Sequence, residues 1–99
     1  VNKLRPSGAR LVFAVTTPPC IGPEKKVNFM VSDEQAEAFN RAALAVMKKH
    51  GVVINDLYSA IGKDRAKYQL GKNDVHYNDA GRDLLAAQVS KVIVKELKK

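Results

Sequence analysis

Two short runs of apolar residues interrupt the otherwise mixed polar and apolar pattern of the chain. Residues 11–15 (LVFAV) are followed by two threonines and two prolines, and residues 52–54 (VVI) are followed by Asn55 and Asp56. An apolar run without polar alternation is typical of a strand covered on both faces, as in a parallel sheet between helices. The pattern therefore predicts two short buried strands, each ended by turn-forming residues.

A helix is predicted between these strands. Ser32 and Gln35 have the spacing of a capping box, acidic residues follow Ser32, and basic residues precede Gly51. A strand, a helix and a second strand form a βαβ unit, whose two strands must be parallel. The predicted apolar face of this helix comprises Phe39, Ala42, Ala43, Val46 and Met47.

Two more helices are predicted after the second strand. The first covers residues 57–68 with an interruption at Gly62, and the last runs from Asn78 as N-cap to about Leu97. The predicted buried face of the last helix comprises Leu85, Val89, Val92, Ile93 and Leu97. No apolar stretch is long enough to predict a membrane span.

These elements predict an α/β fold that is incomplete. Two buried parallel strands leave unpaired backbone groups at both outer edges, and such a pair alone is not expected to be stable in water. Three helices also require more sheet to cover. The chain is therefore expected to be one part of an α/β domain, whose other strands lie outside this sequence.

Composition and charge refine this picture only slightly. The 99 residues suffice for a single domain, and one cysteine cannot form a disulfide within the chain. The formal net charge of +7 permits a nucleic-acid partner. However, the lysines and arginines are scattered along the chain, usually one or two at a time, which favours a solvated surface and makes nucleic-acid binding unlikely.

Candidate chemistry is concentrated in the stretch KNDVHYNDAGRDLL, residues 72–85. His76 stands two residues after Asp74 and two before Asn78, so a loop presents it at the carboxyl edge of the sheet, where chemistry gathers in α/β folds. An acid that holds one ring nitrogen leaves the other free to take a proton from a hydroxyl. The spacing alone also fits a loop histidine beside a helix cap.

The same stretch resembles the last block of the SGNH or GDSL hydrolases, in which an acid and a histidine precede a glycine-containing helix start. The segments SGARLVFAVTTPP (7–19) and FNRAALAVMKKHGVVINDLYSAI (39–61) are similar in order and pattern to the upstream strands and helices of that family. The resemblance covers nearly the whole chain, but only the carboxyl-terminal half of an SGNH domain. It implies a three-layer α/β/α, flavodoxin-like parallel sheet.

The resemblance also implies roles for individual residues. His76 matches the general base of a serine ester hydrolase. The acid partner is Asp74, or alternatively Asn73, which occupies the position three residues before the histidine where the family most often has aspartate. The loop containing Thr17 and Pro18 would form a wall of the substrate pocket. Tyr77 would border the cleft or pack under the last helix.

The nucleophile of this family is not recognisable in the chain, which has no Gly-Asp-Ser block. Cys20 is a weaker alternative nucleophile. The resemblance therefore implies a partner, the amino-terminal half of the domain carrying the serine, and an acyl ester substrate such as an acetylated carbohydrate. It implies no cofactor and no metal, and it favours a secreted or periplasmic location. The alternative is a non-catalytic basic module that binds nucleic acid or another polyanion.

Overall fold

A computed structural model describes residues 1–19, 32–71 and 74–99 of the protein. These residues form a mixed α/β arrangement of two strands, four α-helices and two short 3-10 helices. In chain order, the elements are a 3-10 turn at Arg5–Ser7, β1 (Val12–Ala14), α1 (Asp33–Lys49), β2 (Val53–Asn55), α2 (Leu57–Ile61), a 3-10 turn at Gly62–Asp64, α3 (Arg65–Tyr68) and α4 (Asp79–Leu97).

The two strands pair in parallel, which confirms the predicted βαβ unit. Val12 is opposite Val53 and Ala14 is opposite Asn55, so the carboxyl ends of both strands lie at the same edge of the sheet. The pairing extends one residue further, since the Val15 amide donates to the Asn55 carbonyl at 3.1 Å. The loop after β1 therefore begins beside the loop after β2.

The amino end of α1 has the capping box that the sequence predicts. The Gln35 amide donates to the Ser32 hydroxyl at 3.2 Å, and the Ser32 amide donates to the Gln35 side-chain oxygen at 2.9 Å. Each bond satisfies a donor that would otherwise lack a partner in the first turn. At the other end the helix stops at His50, and Gly51 adopts a positive φ of 65°.

The predicted apolar face of α1 is wrong in part. Phe39 and Val46 are 63% and 50% exposed, Ala42 is also exposed, and the helix instead buries Ala36 and Asn40. Asn40 occupies the inward face because its amide accepts from the Thr16 amide at 3.0 Å and donates to the Thr16 carbonyl at 2.9 Å. This polar clamp ties α1 to the chain just after β1.

The predicted buried face of α4 needs a similar correction. Leu85, Val89 and Val92 are half-buried, whereas Ile93 and Leu97 are 46% and 74% exposed. The fully buried positions of α4 are Gly81 and Glu96, which lie on the same side of the helix as the three half-buried residues. This helix packs mainly on α2 and α3 and reaches β2 through a bond from Gln88 to Asn55 of 3.2 Å.

β1 is not buried on both faces as its apolar sequence predicts. Val12 is 37% exposed and Ala14 is also exposed, while Phe13 between them is half-buried. Among the described residues, the buried apolar side chains of the core include Val15, Pro18, Ala36, Val52 and Ile61. One face of β1 is therefore left uncovered by the described part of the chain.

The predicted helix at 57–68 is broken where glycine was expected to interrupt it. Gly62 has a positive φ of 52°, ends α2 and begins the 3-10 turn that leads into α3. The Asp56 carboxylate caps α2 by accepting from the Ser59 amide at 3.0 Å. Within the described ranges, no helix is long and apolar enough to cross a membrane.

Candidate active site

The loop that carries His76 is fixed at both ends by backbone hydrogen bonds. Gln69 and Tyr77 form an antiparallel bridge, the Leu70 amide donates to the His76 carbonyl at 3.1 Å, and the Asn78 amide donates to the Tyr68 carbonyl at 2.8 Å. The end of α3 and the start of α4 therefore hold the loop between them.

Asn78 and Gly81 join this loop to α4. The Asn78 side chain accepts from the Gly81 amide at 2.9 Å, which caps the helix, and donates to the Lys67 carbonyl at 2.7 Å. A side chain at position 81 would place its Cβ 2.9 Å from the Tyr68 carbonyl oxygen and 3.1 Å from the Tyr77 Cβ. The glycine thus permits the close approach of the helix start to both ends of the loop.

Asp74 and His76 form a hydrogen-bonded pair within the loop. The Asp74 Oδ1 atom lies 2.7 Å from His76 Nδ1 and also accepts from the His76 backbone amide at 2.9 Å. The second bond closes an Asx-turn, in which an aspartate oxygen accepts from the amide two residues on. The Asp-x-His spacing is therefore sufficient to bring the carboxylate against the ring.

These bonds favour the ionised form of the Asp74 carboxyl and orient the His76 ring. The bond from the His76 amide, and next the bond to its ring, hold the pKa of the Asp74 carboxyl below its ordinary value. An ionised carboxylate can only accept, so the tautomer of the ring that fits this contact is the one with its proton on Nδ1. Nε2 is then left with a lone pair, as a general base requires.

The His76 side chain is 77% exposed, whereas that of Asp74 is 38% exposed. The ring is thus oriented by its neighbour and open to an approaching group. The interaction between such exposed groups contributes little free energy in water, and exclusion of water would strengthen it. The geometry supports proton transfer only when another surface covers this side of the loop.

The structure brings the three predicted pocket residues together. Tyr77 donates to the Pro18 carbonyl at 3.5 Å and has a hydrogen bond with the Thr17 side chain. Burial raises the pKa of Tyr77, while the Thr17 bond and the charge of Arg65 act in the opposite direction. Tyr77 both packs under the start of α4 and links the His76 loop to the loop that follows β1.

Pro18 also lines an open cleft of about 520 Å³. The other lining residues are Tyr58, Ser59, Gly62, Lys63 and Arg65. Tyr58 donates to Glu37 at 2.7 Å, and burial together with this bond raises the pKa of Tyr58 to about 12. Arg65 is paired with Asp33 at 2.5 Å. Of the three predicted pocket residues only Pro18, whose side chain is buried, lines this cleft, and Asp74 and His76 are not among its lining residues.

None of the four serines, all of which lie in the described ranges, forms a hydrogen bond with His76. Ser32 caps α1, Ser7 donates to the Leu4 carbonyl at 2.6 Å, and Ser59 donates to Asp56 at 2.7 Å. Ser90 lies within α4. Cys20 and Asn73, the alternative nucleophile and the alternative partner of His76, lie outside the described residues.

Gln69 is a component of the site that the sequence did not indicate. It is 4% exposed, and its side-chain nitrogen donates to the Pro18 carbonyl at 3.1 Å. Gln69 and Tyr77 therefore hold the same carbonyl from two positions of the bridge. A glutamine at a helix end gives no sequence signal for this role, because the contact crosses 51 residues of chain.

Within the described residues, no three or more histidine, cysteine, aspartate or glutamate side chains are grouped so that they could hold a metal ion. No protein-family model matches the chain, and no match was found among curated proteins. What the site can do chemically follows from Asp74, His76 and the residues around Pro18.

Proposed function

We propose that this protein supplies the histidine and aspartate of a serine ester hydrolase of the SGNH type. The observation that carries the proposal is the 2.7 Å contact between Asp74 Oδ1 and His76 Nδ1, which orients an exposed ring and leaves Nε2 available as a base. The resemblance of residues 73–85 to the last block of that family adds to this geometry.

His76 acts first as a base and then as an acid. Nε2 takes the proton of a serine hydroxyl as its oxygen attacks the ester carbonyl, and the resulting imidazolium gives that proton to the departing alcohol. Water, deprotonated by the same nitrogen, then releases the acyl group. Asp74 stabilises the imidazolium in both steps by its charge and keeps the ring in place. The chemistry requires no cofactor.

The serine comes from a complementary half of the domain. Ser7, Ser32 and Ser59 have structural hydrogen bonds, and Ser90 lies inside α4. Val12 and Ala14 leave one face of β1 open. A complementary segment that adds strands at the free edge of β1 and packs a helix over this face would complete a three-layer α/β/α sheet and present its serine to His76.

The proposed substrate is an acyl ester, and an acetylated carbohydrate is the candidate that we favour. The Thr17–Pro18 loop and Tyr77 lie next to the His76 loop, so they would border the acyl group or the alcohol. A secreted or periplasmic location is part of the same proposal, because it follows from the family resemblance.

The proposal is tested by hydrolysis of p-nitrophenyl acetate by the protein isolated under native conditions. We expect His76→Ala to reduce kcat by about 10³-fold or more, since loss of the base disables both steps. His50→Ala is the matched control, because His50 is the other histidine of the chain and ends α1.

Full activity of His76→Ala would exclude His76 from the mechanism. Equal losses in His76→Ala and His50→Ala would show that the effect is structural and would contradict the assigned role. Asp74→Asn should give an intermediate loss with little change in KM, because the ring stays near its place while the charge that stabilises the imidazolium is removed.

A further inference from the structure

A cluster of basic residues that is scattered in sequence lies at the amino edge of the sheet. Residues 1–10 join the carboxyl ends of the two long helices: Arg5 donates to the His50 carbonyl at the end of α1, and Arg10 donates to the Lys99 carbonyl after α4 at 2.8 Å. Leu4, Arg10 and Met47 line a common cleft of about 270 Å³. The three segments therefore meet at one end of the molecule.

This end, which we call the basic pole, holds eight of the 17 lysines and arginines of the chain. They are Lys3, Arg5, Arg10, Lys48, Lys49, Lys95, Lys98 and Lys99. Glu96 is the only acidic residue in segments 1–15, 47–54 and 92–99, and it is 6% exposed and paired with Lys99 at 2.6 Å. Almost all of the exposed charge of the basic pole is positive.

The two arginines of the basic pole form hydrogen bonds within the molecule, whereas most of its lysines have no ion pair with a described residue. Arg5 and Arg10 bind the carbonyls at the helix ends, and Arg10 lies 3.9 Å from Glu96. Lys3, Lys48, Lys49, Lys95 and Lys98 are exposed and have no ion pair with a described residue. Their charges remain free to attract an anionic surface.

Large aliphatic side chains are exposed among these lysines. Leu97 and Leu4 are 74% and 60% exposed, and Val94 on the same side of α4 as Leu97 is 47% exposed. Phosphate groups alone would attract the lysines but would leave the leucines without a favourable partner. A surface that offers both anionic head groups and an apolar layer would satisfy both kinds of side chain.

We propose that the basic pole binds the surface of an anionic phospholipid membrane, with the lysines at the head groups and Leu4 and Leu97 inserted between them. The pole lies at the amino edge of the sheet, whereas Asp74 and His76 lie at the side of its carboxyl edge. Binding at the pole therefore leaves the candidate active site facing away from the lipid. This inference does not depend on the proposed hydrolase function.

Sedimentation of the full protein with vesicles tests the proposal. We expect binding to phosphatidylcholine vesicles that contain phosphatidylserine and little binding to vesicles of phosphatidylcholine alone. Replacing Lys48, Lys49, Lys95 and Lys98 by glutamine should weaken partitioning by about 600-fold, at roughly fivefold per lysine. The control replaces Arg41, Lys63, Lys67 and Arg82 by glutamine, which removes the same charge elsewhere and should retain most of the binding.

A second variant separates lipid from nucleic acid as the partner. Leu4→Ser combined with Leu97→Ser should weaken vesicle binding at least about fivefold, because the inserted aliphatic area is lost. Binding to a mixed-sequence DNA duplex that exceeds vesicle binding and is unchanged in this double variant would overturn the proposal in favour of nucleic acid. Equal losses in the two charge variants, or no binding to anionic vesicles, would also overturn it.

Discussion

At the residue scale, the central feature is one carboxylate oxygen that accepts two hydrogen bonds from the same residue. Asp74 Oδ1 accepts from the backbone amide and the ring of His76. The Asx-turn explains why an aspartate two positions before the histidine can orient it. The sequence indicated both residues and left the choice between Asp74 and Asn73 open. The geometry of the turn favours Asp74 as the partner.

The two bonds make a testable difference to the titration of Asp74. Because the amide of residue 76 is the larger cause of the lowered pKa, His76→Ala should return the Asp74 pKa only part of the way to its ordinary value of about 3.9. A carboxyl whose pKa is lowered on folding stabilises the fold above its unfolded pKa. That contribution is lost as the pH falls through the folded pKa, here at the acid end below about 3.9.

Carbon-13 NMR of the aspartate carboxyl carbons measures this titration, and Asp74→Asn assigns the signal. A complete return to the ordinary pKa in His76→Ala would mean that the ring, and not the backbone amide, is the main cause. An unchanged pKa would mean that the ring contributes nothing to the pKa of Asp74 and would contradict the hydrogen bond between the two side chains.

Gly81 is the second residue on which the site depends, and its role is steric. The methyl group added in Gly81→Ala would press on the Tyr68 carbonyl and the Tyr77 side chain, at a cost of about 1–3 kcal/mol. The gain in helix propensity offsets roughly 1 kcal/mol of this cost, so we expect a net destabilisation of up to about 2 kcal/mol. Urea denaturation measures the difference.

Gly71→Ala is the matched control, because a Cβ at Gly71 would meet nothing within 4 Å. We expect this variant to change the free energy of unfolding by less than about 0.5 kcal/mol. A Gly81→Ala variant as stable as the wild type would show that the start of α4 can move away from the loop without cost. The sequence shows a glycine at the start of this helix, but its close contacts with Tyr68 and Tyr77 could not be predicted from the sequence.

At the scale of elements, the ends of helices were more predictable than their faces. Ser32 and Asn78 were identified as N-caps from local sequence, and both are N-caps in the structure. The buried side of α1 was not predictable, since Asn40 is directed inward by a contact with Thr16, 24 residues away. A cap depends on residues three positions apart, whereas a buried face depends on what the rest of the chain places against it.

The cap of α4 also carries functional consequences that the cap of α1 does not. Asn78→Ala should cost about 1 kcal/mol or more, because it removes the cap at Gly81 and the bond to the Lys67 carbonyl. We also expect faster hydrogen exchange at the Leu70 amide, whose bond to the His76 carbonyl holds the loop.

Ser32→Ala is the comparison for this experiment. It removes a cap of the same kind from α1 and should lower the free energy of unfolding by a similar amount, about 1 kcal/mol. Hydrogen exchange at the Leu70 amide should then increase no more than the change in global stability requires. Equal effects of the two variants on the Leu70 amide would contradict a local role for Asn78.

At the scale of the whole molecule, the described chain buries little apolar surface and exposes much of it. The apolar run 11–15 predicted a fully covered strand, and the uncovered face of β1 is the main departure from that prediction. The physical reason is that the apolar character of a strand indicates that both of its faces are covered, but it does not indicate which polypeptide segment covers them. The parallel βαβ unit, in contrast, followed from connectivity.

A substitution on β1 distinguishes a face that is covered in the assembled protein from one that is simply exposed. Val12→Lys should leave the far-ultraviolet circular dichroism of the chain alone nearly unchanged, because Val12 is already 37% exposed. The same change should prevent binding of the complementary half, since it would bury an unpaired charge.

Leu97→Lys, at the basic pole, should leave that association intact. For both variants, a pull-down with the tagged chain measures how much of the complementary polypeptide is bound. Association that survives in Val12→Lys, or that is lost equally in Leu97→Lys, would show that the open face of β1 is not the contact surface.

An intact-mass spectrum of natively isolated protein, recorded after treatment with a fluorophosphonate that labels activated serines, tests whether a second polypeptide supplies the serine to His76. We predict that a second polypeptide co-purifies with this chain and carries the label on one serine. In the His76→Ala variant, the second polypeptide should remain unlabelled. A label on this chain itself, or a cooperatively folded, unlabelled chain without a second polypeptide, would show that no complementary half supplies the serine.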